Sequence, residues 1–135
     1  MTEKRFDEVV EEVCEQVKQT LLVKAKEYRR NENPFHNFDM GSQRSGLIRE
    51  KVLDGFLLKH EISIADITND LVEGKLPSIK TLDEKFGDNV IYLILKMTSI
   101  IDKIEQYEEE KEHQEYWSSG KFLDIDKIEK EDEPG

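Results

Sequence analysis

The chain has 135 residues, of which 36% are hydrophobic and 38% charged, with a formal net charge of −11. That is enough chain for one ordinary domain with a core of its own, and its apolar residues are clustered and periodic, which excludes a wholly disordered polymer. Twelve acids against four lysines in residues 105–135 carry −8 of the charge and leave −3 for residues 1–104, so generic DNA or RNA binding is not expected of it.

A first helix is predicted from residue 3 to 29 or 30. Phe6, Val9, Val10, Val13, Cys14, Val17, Leu21 and Tyr28 keep the spacing of one buried stripe. Thr2 can cap its start, and Glu3 suits the positive end of the helix dipole. Residues 31–34 end it, because the residue before Pro34 avoids helical dihedrals. Residues 35–45 read as an irregular loop carrying Phe35, His36, Asn37 and Phe38. A second helix is predicted from about 47 to 60, with Ile48, Val52, Leu53, Phe56 and Leu57 inward.

Ser63 with Asp66 resembles a capping box, which would start a short helix ending near Gly74. Thr81 with Glu84 makes a better one and opens a long helix. Its main face is Phe86, Val90, Leu93, Ile94, Met97, Ile100, Ile101, Ile104 and Tyr107, with Ile91 and Leu95 on the opposite side. A helix apolar nearly all round is the centre of a bundle or sits in a subunit interface. The expected fold is all-α, a helical bundle with a long central C-terminal helix, and oligomeric. Residues 1–107 form its helical domain and 108–135 an acidic C-terminal extension. In that extension Trp117, Phe122, Leu123, Ile125 and Ile128 can dock a last segment, and residues 129–135 are expected to be disordered.

No apolar run follows a basic cap at the N-terminus, so no secretory signal is expected. The longest apolar run, residues 90–95, is far too short to span a bilayer. The single cysteine, Cys14, lies on a helical core stripe, where it would be inert, and fits a reducing, cytoplasmic setting.

Several residues carry possible chemistry, each with a plain structural alternative. Glu84 and Asp88 share a helix face that continues into Ile91 and Leu95. They are either a capping box and a solvated aspartate, or two oxygen donors for a divalent cation where a buried surface begins. Glu50 and Asp54 repeat the spacing and would complete a four-donor set if the two helices packed together. Gly87, inside a helix, implies a close approach by another helix or by a ligand, with helix packing the expected cause.

Lys24 falls near the centre of the first apolar stripe, with Glu27 at its edge, and either snorkels outward or meets an anion. Phe35, His36 and Asn37, beside Arg29 and Arg30, would suit a base and its phosphate, or would only anchor a loop. Lys59 and His60 end a predicted helix, where the dipole alone favours cations.

Taken in order, Lys24-Ala25-Lys26-Glu27-Tyr28, Phe35-His36-Asn37-Phe38, Lys59-His60 with Ser63 and Asp66, and Glu84-Lys85-Phe86-Gly87-Asp88 before Tyr92-Leu93-Ile94-Leu95 resemble a group of small phage and prophage proteins. More distantly the chain is similar to MazG-like and dimeric dUTPase nucleotide pyrophosphohydrolases and to phage nucleotide-modification-associated domains. The resemblance spans roughly residues 5–105. It implies a nucleotide ligand, Mg2+ held by acidic motifs on two helices, and the cytoplasm of a bacterial host.

The hydrolases place a glutamate three residues before the aspartate, where this chain has Lys85, with Glu84 one residue earlier. Their glutamate-rich first motif corresponds to Glu11, Glu12 and Glu15. The expected function is therefore a nucleotide-binding protein that either sequesters a signalling nucleotide, as an anti-defence protein would, or hydrolyses a triphosphate with a metal. The alternative is an acidic interaction module, or inhibitor of a host protein, with no nucleotide ligand.

Overall fold

The computed structural model describes residues 1–120, apart from the side chain of Tyr28. It is all-α, with helices α1 (Glu3–Tyr28), α2 (His36–Ser45), α3 (Arg49–Val72) and α4 (Ile79–Ser118). Among the described residues there is no strand beyond an isolated bridge between Arg30 and Asn33. None of the helices is long and apolar enough to cross a membrane. The chain divides into two compact units between Ser99 and Ile100, and the packing below is that of residues 1–99. The expected docking of Phe122, Leu123, Ile125 and Ile128, and the expected disorder of 129–135, lie outside the described residues.

Helix α1 begins as its cap dictates: Thr2 Oγ1 accepts from the Arg5 amide at 3.1 Å. The chain then reverses over residues 30–33. Arg30 and Asn33 exchange backbone hydrogen bonds of 3.3 and 3.0 Å, and Asn31 and Glu32 take positive φ. Asparagine tolerates that conformation, whereas Glu32 pays about 1 kcal/mol for its Cβ.

Residues 36–45, expected to be a loop, form α2. Ten residues with a glycine inside show no periodicity to read, and the helix is set up by tertiary and side-chain contacts. Asn33 Oδ1 accepts from the Phe35 amide at 2.9 Å and Asn33 Nδ2 donates to Asp39 at 2.8 Å. Phe38 is then buried beneath the helix. A Cβ on Gly41 would sit 3.0 Å from Val52 Cγ1, so glycine is what lets α2 lie this close to α3.

The two helices expected over 47–74 are one, α3. Ser63 does not cap a new helix; its hydroxyl donates to the Lys59 carbonyl at 3.2 Å, one turn back. Gly74, at φ 79, follows the helix end. Helix α4 starts at Ile79, capped by Ser78 rather than Thr81: Ser78 Oγ accepts from the Thr81 amide at 3.1 Å.

The core is Val17, Phe35, Phe38, Leu53, Leu57, Ile91, Tyr92 and Leu95. Phe38 meets Phe56 and Tyr92 edge-on, at 5.8 and 6.5 Å between centroids. Two expected core faces are not core. Helix α4 buries Ile91, Tyr92, Leu95 and Ser99, while Phe86, Val90, Leu93 and Met97 stay exposed. Among the described side chains of α1 only Val17 is buried; Phe6, Val10 and Val13 are exposed and so is Cys14. Periodicity finds an apolar stripe without saying what covers it.

The three helices α2, α3 and α4 are tied by Arg49. Its Nε donates to Ser99 Oγ at 2.6 Å, Nη2 to the Ser99 carbonyl at 3.2 Å, and Nη1 to Asp39 at 3.2 Å. The guanidinium lies 4.1 Å over the Phe35 ring. Buried Glu50 accepts from Ser99 Oγ at 3.2 Å, with Arg49 Nε 3.9 Å away. Removing this cation leaves a buried carboxylate without its counter-charge. Arg49→Ala should cost about 3 kcal/mol in urea unfolding at unchanged slope, and adding Glu50→Gln should recover part of it; a loss below about 1 kcal/mol would show that Arg49 is not what ties the helices.

Candidate functional site

A groove of about 720 Å³ runs between α1 and the first turns of α4. Val9, Val13 and Val17 form one wall and Ile79, Leu82 and Phe86 the other. Of these Val17 belongs to the core, while Val13, Ile79 and Phe86 are left uncovered, Phe86 being 45% exposed. Lys24, Lys85 and Asp88 also line it, as do Arg5 and Glu12. Arg5 is engaged there, its Nη1 lying 3.3 Å from Glu8 and 3.4 Å from Glu12.

Lys24 Nζ bonds Asp88 Oδ1 at 2.7 Å, both side chains being about one-third exposed. So Lys24 does meet an anion, the aspartate that opens the buried line of α4. His60, half-buried at the middle of α3, stacks on Tyr92 at 4.8 Å, and Tyr92 stacks in turn on Phe56 at 5.4 Å. Burial holds the His60 pKa below its ordinary 6.5; Asp88 opposes that, while Lys24, Lys59 and Lys85 push it further down. The imidazole of His60 therefore feels Asp88 and three lysines at once. Lys85 was not singled out in the sequence, although its place three residues before Asp88 on the same helix puts the two side by side.

The acidic pairs do not converge. Glu50 is held by Ser99 and Arg49, Asp54 bonds Lys96, and Asp88 bonds Lys24. Glu84 is exposed and lines the groove. Among the described residues no group of three or more His, Cys, Asp or Glu side chains could hold a metal ion. The four-carboxylate arrangement of Glu50, Asp54, Glu84 and Asp88 is therefore not formed.

Phe35, His36 and Asn37 stand at the start of α2 and do not line the groove; Phe35 is buried under Arg49 and Asn37 is exposed. Glu27 is exposed and also outside the groove lining. The Tyr28 side chain lies outside what the structure describes. A Cβ on Gly87 would meet nothing within 4 Å, so no helix among the described residues packs against it, and Gly87 lines the groove. Comparison with family models, with curated proteins and with solved structures finds no match to this chain.

The lowered pKa of His60 has a consequence for stability. The unfolded chain takes up a proton near the ordinary value of 6.5 that the folded chain resists, so stability is held above that pH and lost as the pH falls below it. The imidazole should titrate below 6.5 by NMR, and the urea midpoint should drop from about pH 7.5 to about pH 5.5 more in the wild type than in His60→Gln. An equal drop in both would remove His60 as the cause.

Proposed function

We propose that the groove binds a phosphate-bearing small molecule of nucleotide size and holds it intact. The observation that carries this reading is the Lys24–Asp88 ion pair, 2.7 Å across the groove, with Lys85 also on the groove lining. A phosphate group would compete with Asp88 for Lys24, adding a charge-assisted hydrogen bond from Lys85. The valine wall and Phe86 offer an apolar bed for a base beside it, and a volume of about 720 Å³ is in the range of small-molecule sites.

Retention rather than turnover follows from the donor set. Hydrolysis of a phosphoanhydride wants a metal ion or a base aimed at water, and the carboxylate nearest the lysines is spent on Lys24. A phosphate near enough to feel His60 would raise its depressed pKa, so binding would take up a proton and strengthen as the pH falls.

Calorimetry with nucleoside triphosphates, cyclic nucleotides and pyrophosphate tests this. Lys24→Ala and Lys85→Ala should each weaken binding about tenfold, the loss of about 1.4 kcal/mol. Asp88→Asn, which removes the competing carboxylate, should tighten it. No heat and no retention with any of these ligands would end the reading. Weaker binding in Asp88→Asn would make that carboxylate a ligand group, and recovery of monophosphate with pyrophosphate would replace retention by hydrolysis.

A further inference from the structure

The polar side chains that α1 brings to the groove are spaced by single turns. Gln16, Thr20 and Lys24 all line it, each four residues from the next. At a rise of about 1.5 Å per residue, the carboxamide, the hydroxyl and the ammonium leave the helix about 6 Å apart, nearly in one row. Lys24 fixes one end of that row at Asp88, 2.7 Å away. Past Gln16 the same wall turns apolar, with Val13 and Val9, and Arg5 beyond them is engaged with Glu8 and Glu12.

Gln16 is exposed and Thr20 half-buried, and among the described residues neither side chain has a hydrogen-bond or ion-pair partner. The α4 wall, with Ile79, Leu82 and Phe86, can hold a ring by its face but cannot tell one ring from another. Reading the edge of a ring takes a group that donates and accepts side by side. Of the described side chains that line the groove, only Gln16 offers both in one plane.

We infer that Gln16 reads the base of the bound ligand and selects adenine, an inference that rests on the nucleotide reading above. With the phosphate at Lys24 and Lys85, the sugar falls beside Thr20 and the base beside Gln16, about 12 Å along the helix from Lys24. A carboxamide pairs through two hydrogen bonds with the amino group and the neighbouring ring nitrogen of adenine. The carboxylates of the lining favour the same base. Glu12, Asp83 and Glu84 can accept from an amino group, whereas the carbonyl oxygen of a keto purine would face their negative charge. Val13 and Val9, continuing the wall past Gln16, leave an apolar bed long enough for the two rings of a purine.

Calorimetry with ATP and ITP, which set an amino group against a carbonyl on the same purine, tests this, with pyrophosphate as the ligand that has no base. The wild type should prefer ATP by about tenfold, within what one such pair of hydrogen bonds supports. Gln16→Met keeps the length and helix propensity of the side chain and removes its polar end. It should bring ATP and ITP within about twofold of each other and leave pyrophosphate affinity unchanged. A wild type that binds the two purines equally, or prefers ITP, would overturn the inference and leave the phosphate site standing. So would a preference for ATP that survives in Gln16→Met, because another group would then be reading the base. Failure of ATP, ITP and pyrophosphate alike to bind would end this inference together with the reading it rests on.

Discussion

One guanidinium organises the folded unit. Arg49 is the first residue of α3, yet its bonds reach Asp39 on α2 and Ser99 on α4, and its plane covers Phe35 at the α2 entrance. A planar fork with five donors can serve three directions at once, which an ammonium cannot. Because Ser99 is fully buried and also donates to Glu50, the network closes on itself and leaves the carboxylate satisfied. The chain has few buried hydrophobics to define its packing, so this polar knot does much of the work of fixing helix order. The groove draws on the same helix: α4 carries both Ser99 of this network and the Asp88 that meets Lys24.

How far the sequence disclosed this depends on whether the signal was local. Helix α1 was legible at both ends, since Thr2 and Pro34 act within a few residues of themselves. Helix α2 was not, because Phe38 earns its place from Phe56 and Tyr92, far along the chain. Ser63 misled because a serine hydroxyl satisfies the preceding turn of a continuous helix as readily as it caps a new one. The long apolar helix was visible, but which of its faces was internal was not; Ile91 and Leu95, the minority face, proved to be the buried one.

The candidate site divides in the same way. A lysine inside an apolar stripe and an aspartate heading a buried line were each readable alone. That Lys24 and Asp88 are partners, 64 residues apart, was not. The carboxylate pairs failed as a set because Glu50, Asp54 and Asp88 each found a cation first, while Glu84 stays exposed, which composition cannot reveal. Phe35 was read as a recognition surface or an anchor, and it is the anchor in this fold, beneath Arg49.

Helix α1 leads to a different kind of consequence. From Glu3 to Gln16 it has almost no tertiary cover; Val9 alone is half-buried there, and what holds those turns is a cap and a few bonds such as Arg5 to Glu8 and Gln19 to Glu15. A helix of that length on its own is marginal in water. Yet this half supplies Val9 and Val13 to the groove. The wall is thus built from one of the least protected elements of the fold, whose amides open to solvent at far lower cost than those around Leu53. Whatever settles against it must also supply the ordering of its host, so occupancy of the groove and the helicity of α1 are one equilibrium seen from two sides.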